Sequence, residues 1–146
     1  MPKEVKLDWV LLEDFQKFIS RLKRYNYVVG ILRGGGIPAI LASNTLEKDV
    51  LFVQAKSYKH KKKDTFHFTN LSVIPWVVRH KKVLLVDDVY DSGETITKVR
   101  KWLERVVERK VDVVVLVSKN PAKCHDEGIR SIRHVDKNVW VRFPWE

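Results

Sequence analysis

The chain has 146 residues, of which 45% are hydrophobic and 32% are charged, a composition too apolar for a disordered protein and long enough for one domain with its own core. No apolar run is long enough to span a membrane, and residues 1–6 contain no apolar stretch that would act as a signal sequence. A single cysteine, Cys124, excludes an internal disulfide and a multi-cysteine zinc site. We therefore expect residues 1–146 to form one domain of a cytoplasmic protein.

The charge balance is strongly basic. Lysine and arginine number 28 against 18 acidic residues, for a formal net charge of +10. Such a surplus attracts polyanions, including nucleic acid, acidic lipid and phosphorylated small molecules, without choosing among them.

Apolar patterns along the chain predict alternating helices and strands. Helical spacing predicts three helices, after Asp8, from Ala39 to Leu46, and from the region of Thr95 to Arg109. Short apolar runs predict five strands, over residues 27–32, 50–55, 82–87, 111–117 and 139–143. A basic, polar stretch from Ser57 to Asn70 predicts a mobile excursion. The alternation predicts a three-layer α/β fold, a mainly parallel sheet flanked by helices.

The most informative segment joins the third predicted strand to the helix after it. Asp87 and Asp88 end a buried strand, where paired carboxylates need solvent or a positive partner. The following loop supplies an acid, two hydroxyls and a glycine: Asp91, Ser92, Gly93 and Thr95. With the free N–H groups of a helix start, this loop can cradle a phosphate. Acids beside a phosphate site suit a sugar diol or Mg²⁺. Helix capping by Ser92 or Asp91 explains single residues but not the whole run.

This segment resembles the phosphoribosyl pyrophosphate (PRPP) signature of type I phosphoribosyltransferases: an apolar strand, two acids, two residues, then Asp-Ser/Thr-Gly-x-Thr. Ser92 replaces the more frequent threonine, and Glu94 occupies a variable position. The resemblance implies the type I fold with a small C-terminal hood. It also implies that residues 91–95 hold the 5′-phosphate, while Asp87 and Asp88 face the ribose hydroxyls and Mg²⁺, largely through PRPP or water.

A glycine run follows the first apolar strand, directly after Arg33. Gly34, Gly36 and Ala39 fit a dinucleotide-binding fingerprint. In that kind of site an acidic residue at the end of the second strand binds the ribose, but here the second predicted strand is followed by Lys56. An arginine followed by glycines instead offers a charged fork and open amides to a pyrophosphate, and the family carries such an Arg-Gly-Gly loop. A structural turn requiring positive φ remains an alternative, and the third glycine leaves open which amide binds.

Base-binding residues are expected near the end of the chain. The resemblance to purine-using members implies that Lys119 contacts the exocyclic oxygen of a 6-oxopurine, that Trp140 stacks on the ring, and that the Val141 backbone reads the base edge. Tryptophans are more often core or interface residues, the reading we favour for Trp145.

Ser57 and Tyr58 resemble the flexible loop with which hypoxanthine-guanine enzymes close the active site. The basic run Lys59–Lys63 after them fits attraction of PRPP, contact with nucleic acid, or a solvated surface.

Together with these features, the resemblance implies an Mg²⁺-dependent purine phosphoribosyltransferase, with PRPP and a purine base as substrates and Asp91 and Arg33 as catalytic residues. Members of this family are commonly dimers or tetramers, so we expect a homo-oligomer. Two alternatives stay open: a PRPP-sensing, nucleic-acid-binding regulator of the same fold, and a transferase for a different base.

Overall fold

The computed structural model describes residues 3–22, 24–59 and 64–146. Eight strands lie within these residues: β1 Lys3–Lys6, β2 Tyr27–Leu32, β3 Asp49–Lys59, β4 Asp64–Asn70, β5 Val83–Tyr90, β6 Asp112–Ser118, β7 Arg130–His134 and β8 Val139–Arg142. Five helices lie there too: α1 Val10–Ile19, α2 Gly36–Leu46, α3 Pro75–Val78, α4 Glu94–Val107 and α5 Pro121–Asp126. In this described part of the chain, no helix is long and apolar enough to cross a membrane.

The main sheet has six strands in the order β4-β3-β2-β5-β6-β7, and every neighbouring pair except β3–β4 is parallel. Alternate residues of its strands pack on opposite faces. Leu85 packs in a core cluster with the apolar stripe of α4, whereas Leu84 packs in a second cluster with Leu11 and Phe15 of α1. Helices therefore cover both faces, which confirms the predicted three-layer α/β fold. Because the central strands are parallel, the carboxyl ends of β2, β5 and β6 meet at one edge.

The hood is built from both ends of the chain. Strand β8 pairs in parallel with β1, with Val5 opposite Val141, as a separate two-stranded sheet. The side chains of Val141 and Phe143 are buried with the α1 side of the core. The sequence patterns predicted β8 but not β1, whose four residues carry only one apolar side chain.

The stretch from Ser57 to Asn70, predicted as a mobile excursion, forms two paired strands wherever it is described, and residues 60–63 lie outside the described residues. Strand β3 continues to Lys59 and β4 returns antiparallel to it, with Ser57 paired to Phe66 in register. In β4, Phe66 and Phe68 alternate with polar residues, and both rings pack against the α4 side of the core. This packing of alternate residues stabilises the strand. The lysines nearby made the stretch look like a solvated loop, so the alternation of apolar and polar residues that indicates a strand was overlooked.

Candidate functional site

An open cleft of about 280 Å³ lies beyond the carboxyl ends of β2 and β5. It brings together the phosphate-handling residues that the sequence predicts: Arg33, Gly34, Asp87, Asp88, Asp91, Ser92, Gly93, Glu94 and Thr95. Residues about 60 positions apart in sequence thus converge on one site, because the parallel sheet brings the ends of β2 and β5 together.

The loop after β2 is shaped by close packing. The peptide bond between Leu32 and Arg33 is cis. The Gly35 amide donates to the carbonyl of Ile31 at 2.8 Å, and the Gly36 amide donates to that of Arg33 at 3.1 Å. Among the described residues the Gly34 amide has no such partner, so it is the open amide of the run.

This loop requires glycine because neighbouring atoms leave no room for a β-carbon, and not because its backbone adopts a positive φ. In the described chain only Gly93 and Gly128 among the glycines have positive φ, so the alternative of a positive-φ turn at this loop is wrong. A β-carbon at Gly35 would lie 2.6 Å from the carbonyl oxygen of Ile31, and one at Gly34 would overlap the carboxylate of Asp88. The loop therefore lies tightly against the acidic end of β5.

The two acids at the end of β5 differ in exposure. Asp87 is 8% exposed and Asp88 is half-buried. One oxygen of Asp87 accepts from the Asp88 amide at 2.9 Å, and one oxygen of Asp88 accepts from the Val89 amide at 2.8 Å. Burial, and then the neighbouring charge of Asp88, raises the pKa of Asp87 well above its ordinary value. A positive or hydrogen-bond-donating ligand would relieve this unfavourable pairing.

Residues 91–95, the phosphate loop, form the turn into α4. Gly93 adopts a left-handed conformation, φ +82°, directly over the ring of Tyr90. The Ser92 hydroxyl accepts from the Glu94 amide at 3.3 Å. Asp91 and Ser92 are exposed to the cleft. The loop thus presents the first amides of a 14-residue helix, the arrangement that binds phosphate.

A lysine outside the predicted set reaches this loop. Lys123, on α5, donates from its Nζ to the carbonyl of Ser92 at 2.7 Å. The acid within the loop, Glu94, instead pairs with Lys98 one turn along α4, at 2.9 Å. Lys123 is therefore a cation beside the phosphate loop without an acidic partner in the described chain. Its sequence position carries no signal, because the contact joins residues 31 apart through the sheet.

The predicted base-binding residues Lys119, Trp140 and Val141 are not among the residues that line this cleft. The Lys119 amide donates to the carbonyl of Tyr90 at 2.8 Å, which fixes Lys119 beside the start of the phosphate loop. In the hood, Trp140 is 60% exposed, whereas Val141 is buried in the core. Trp145, in contrast, is part of an outer extension of the cleft.

This outer extension, of about 630 Å³, contains Arg33, Gly34 and Asp88 together with Trp145 and other residues of β3 and the C-terminus. The ring of Trp145 stacks on Phe143, with centroids 4.8 Å apart and planes at 6°. A tryptophan that the sequence favoured as structural thus also faces the site.

The predicted flexible-loop residues belong to β3 by backbone pairing, Ser57 with Phe66 and Tyr58 with Thr65. Their side chains lie outside the described residues, as does the part of the basic run from residue 60 to 63. The base of this hairpin is anchored on α4, where Phe68 packs on Trp102 with centroids 4.8 Å apart.

The donor set at the end of β5 suits Mg²⁺ held mainly through a substrate. Asp87 and Asp88 offer hard oxygen ligands, and Mg²⁺ is typically bound by one or two carboxylates with substrate phosphates and water. Within the described residues, no group of three or more histidine, cysteine or acidic side chains converges as a closed metal cage. The chemistry of these residues therefore fits the predicted ion.

Several known proteins are similar to this chain. Residues 11–146 match the family model described as "Phosphoribosyl transferase domain". The xanthine-guanine phosphoribosyltransferase of Cereibacter sphaeroides is 29% identical over 120 residues, covering 82% of this chain and 68% of that protein. The enzyme of the same name from Idiomarina loihiensis is 24% identical over 152 residues, covering 99% of this chain and 88% of that protein.

The fold is shared with solved structures. The purine phosphoribosyltransferase of Pyrococcus horikoshii superposes with a TM-score of 0.76 at 23% identity, covering 98% of this chain and 94% of that one. Since the family model spans nearly the whole chain and includes every residue of the cleft, this protein belongs to the phosphoribosyltransferase domain family.

Proposed function

We propose that this phosphoribosyltransferase acts on purine bases. It would transfer the 5-phosphoribosyl group of PRPP to a 6-oxopurine (hypoxanthine, guanine or xanthine), giving the nucleoside 5′-monophosphate and pyrophosphate. The observation that carries the proposal is the convergence of Arg33, the acids of β5 and the phosphate loop on one cleft. The names of the two relatives above support the purine class.

Each part of PRPP has a complementary group in the cleft. The 5′-phosphate binds the amides and hydroxyls of the phosphate loop, with the ammonium of Lys123 close by. The ribose hydroxyls face the carboxylates of Asp87 and Asp88. The pyrophosphate lies against the Arg33 guanidinium and the open amide of Gly34.

In the transfer, the bond between C1′ and the pyrophosphate oxygen breaks and the bonding electrons leave with pyrophosphate. Arg33 stabilises the charge that develops on the leaving group. Mg²⁺, when bound, supplies further charge neutralisation at the pyrophosphate. N9 of the purine then bonds to the oxocarbenium-like C1′, and the carboxylate of Asp91 accepts a hydrogen bond or proton from the base, near N7.

The base would be held between the sheet and the hood. Lys119 follows β6, and its backbone amide donates a hydrogen bond to Tyr90, the residue before Asp91. The backbone of Lys119 therefore lies beside the part of the cleft that contains Asp91. Trp140 keeps 60% of its surface exposed and is thus available to stack on a base. The backbone of Val141 would read the edge of the ring.

The test is product formation from PRPP and Mg²⁺ with hypoxanthine, guanine, xanthine, adenine, uracil and orotate in separate reactions. The proposal expects turnover with one or more 6-oxopurines and its loss when EDTA removes the metal. Turnover with adenine, uracil or orotate alone would assign a different base. Binding of PRPP without turnover on any of the six would favour the PRPP-sensing regulator.

A further inference from the structure

A second concave region lies at the opposite edge of the sheet, where β2, β5 and β6 begin. It consists of two adjoining recesses of about 220 and 150 Å³, which share Arg24, Tyr25 and Asp112. We call them together the basic groove. Among the described residues its lining contains five cationic side chains: Arg24, Lys82, Arg109, Lys110 and Arg130.

The parallel sheet itself assembles this groove. The Asn26 amide donates to the carbonyl of Lys82 at 2.7 Å, and the Lys82 amide donates to the Asn26 side chain at 2.9 Å. Leu84 pairs with Asp112 across β5 and β6, so Lys82 and Lys110, each two residues earlier, occupy matching positions. Cations far apart in sequence therefore become neighbours.

The positive charge of the groove is only partly compensated by its own lining. In the described residues none of its five cations forms an ion pair. Among the described lining residues Asp112 is the one acid, so it offsets at most one of the five positive charges, and its Oδ2 accepts from the Tyr25 hydroxyl at 2.6 Å. Five cations that share one carboxylate repel one another, so an anionic ligand would stabilise this arrangement.

The extent of the groove indicates a polymer. Its cations lie at the starts of four adjacent strands, β2, β5, β6 and β7. Because neighbouring strands are about 4.8 Å apart, the groove extends over roughly 14 Å. One phosphate group can contact only part of such a surface. The aromatic side chain shared by both recesses, Tyr25, is 6% exposed and offers no stacking face.

We propose that the basic groove binds the sugar–phosphate backbone of single-stranded nucleic acid, without reading its sequence. The groove is separated from the catalytic cleft by the full length of the strands, so binding does not depend on the proposed transfer reaction. We expect the bound strand to place about four phosphates against the groove. A plot of the logarithm of the binding constant against the logarithm of the salt concentration should then have a slope near −3, since each phosphate contact on a single strand contributes about −0.7.

The test is fluorescence anisotropy of a labelled 20-nucleotide oligouridylate from about 50 to 300 mM salt, a range over which counter-ion release is strong. Lys82→Gln/Lys110→Gln should weaken binding about tenfold and reduce the slope by about 1.4. The matched control, Lys101→Gln/Lys137→Gln, removes the same charge from exposed positions outside the groove and should retain affinity within about twofold.

A second pair, Arg24→Gln/Arg130→Gln, should weaken binding to a similar degree, and thermal melting of all variants checks that each is folded. Equal loss in the control pair, or absence of binding by the wild-type protein at 0.1 M salt, would overturn the proposal. Equally tight, equally variant-sensitive binding of polyglutamate would instead assign an acidic peptide. Displacement of the oligonucleotide by an equimolar concentration of uridine monophosphate would instead assign a free nucleotide.

Discussion

Gly34 lies so close to Asp88 that a β-carbon at position 34 would overlap the Asp88 carboxylate. The loop proposed to hold pyrophosphate and the strand end proposed to hold ribose are therefore in direct contact. The spacing between the two halves of the site is set by this absence of a side chain.

Gly34→Ala should accordingly lower kcat/KM for PRPP by about 100-fold, because small displacements in a site that works by positioning cost rates of that order. Gly36→Ala is the matched control. A β-carbon there would meet only the end of the flexible Leu32 side chain, at 2.9 Å, so activity should stay within a few-fold. Comparable activity in the two variants would show that the contact with Asp88 does not set the geometry of the site.

Lys123 gives a second prediction, for PRPP binding. Lys123→Met removes the hydrogen bond to the Ser92 carbonyl and the charge beside the phosphate loop. We expect KM for PRPP to rise about tenfold, the equivalent of one charge-assisted hydrogen bond, with kcat within a few-fold. Lys123→Arg should recover much of the loss, whereas Lys137→Met, at an exposed position in the hood connection, should leave KM unchanged. A fall in kcat at constant KM would contradict a binding role.

The fold and the convergence of the predicted residues on one cleft were predictable from sequence, because their signals are local. The apolar run of β5, its two acids and the loop after it are contiguous, and the parallel sheet then brings Arg33 to the same edge. The contact of Lys123 with Ser92 joins two elements through tertiary packing. No local pattern encodes such a contact.

Irregular or polar elements were missed for a related reason. Strand β1 has one apolar residue and depends on β8 from the other end of the chain. The hairpin of β3 and β4 is stabilised by Phe66 and Phe68 against α4, whereas its lysines suggested a solvated excursion. In both cases pairing with a distant segment outweighs the local composition.

Asp91 tests the chemistry of transfer. Asp91→Asn keeps the size of the side chain and its exposed position in the cleft but removes the negative charge proposed to act at the base. Turnover should fall by a factor of about 10²–10⁴, the usual contribution of a positioned acid or base, while PRPP affinity, measured by calorimetry, stays within a few-fold. Wild-type turnover in this variant would remove Asp91 from the reaction.

The two C-terminal tryptophans can be separated by kinetics. Trp140 is exposed in the hood, whereas Trp145 lies in the outer extension of the cleft beside Arg33. If Trp140 is the stacking platform, Trp140→Ala should raise KM for the base by about tenfold, since stacking on an aromatic side chain contributes about 1–3 kcal/mol, and should leave KM for PRPP unchanged. Trp145→Ala should instead raise KM for PRPP and leave KM for the base unchanged. The reverse result would assign base stacking to Trp145.

Cys124 provides a probe of folding that is independent of activity. Its thiol is 1% exposed, and its Sγ donates to the carbonyl of Ile129 at 3.4 Å. Burial raises the pKa of the Cys124 thiol above its ordinary value. Because the reactive form is the exposed thiolate, Ellman's reagent at pH 8 should react at least about 100-fold more slowly with the folded protein than with the denatured chain.

The same shift predicts a pH dependence of stability. The folded state holds the thiol proton more tightly than the unfolded state, so this contribution is fully present below the ordinary thiol pKa of about 8.5 and is lost as the pH rises through the folded-state pKa. The difference in the free energy of unfolding between the wild type and Cys124→Ala should therefore be constant from about pH 6 to 8 and shrink above about pH 8.5. A difference that stays constant across the alkaline range, in urea titrations of both proteins, would show that the thiol ionises alike in the folded and unfolded states.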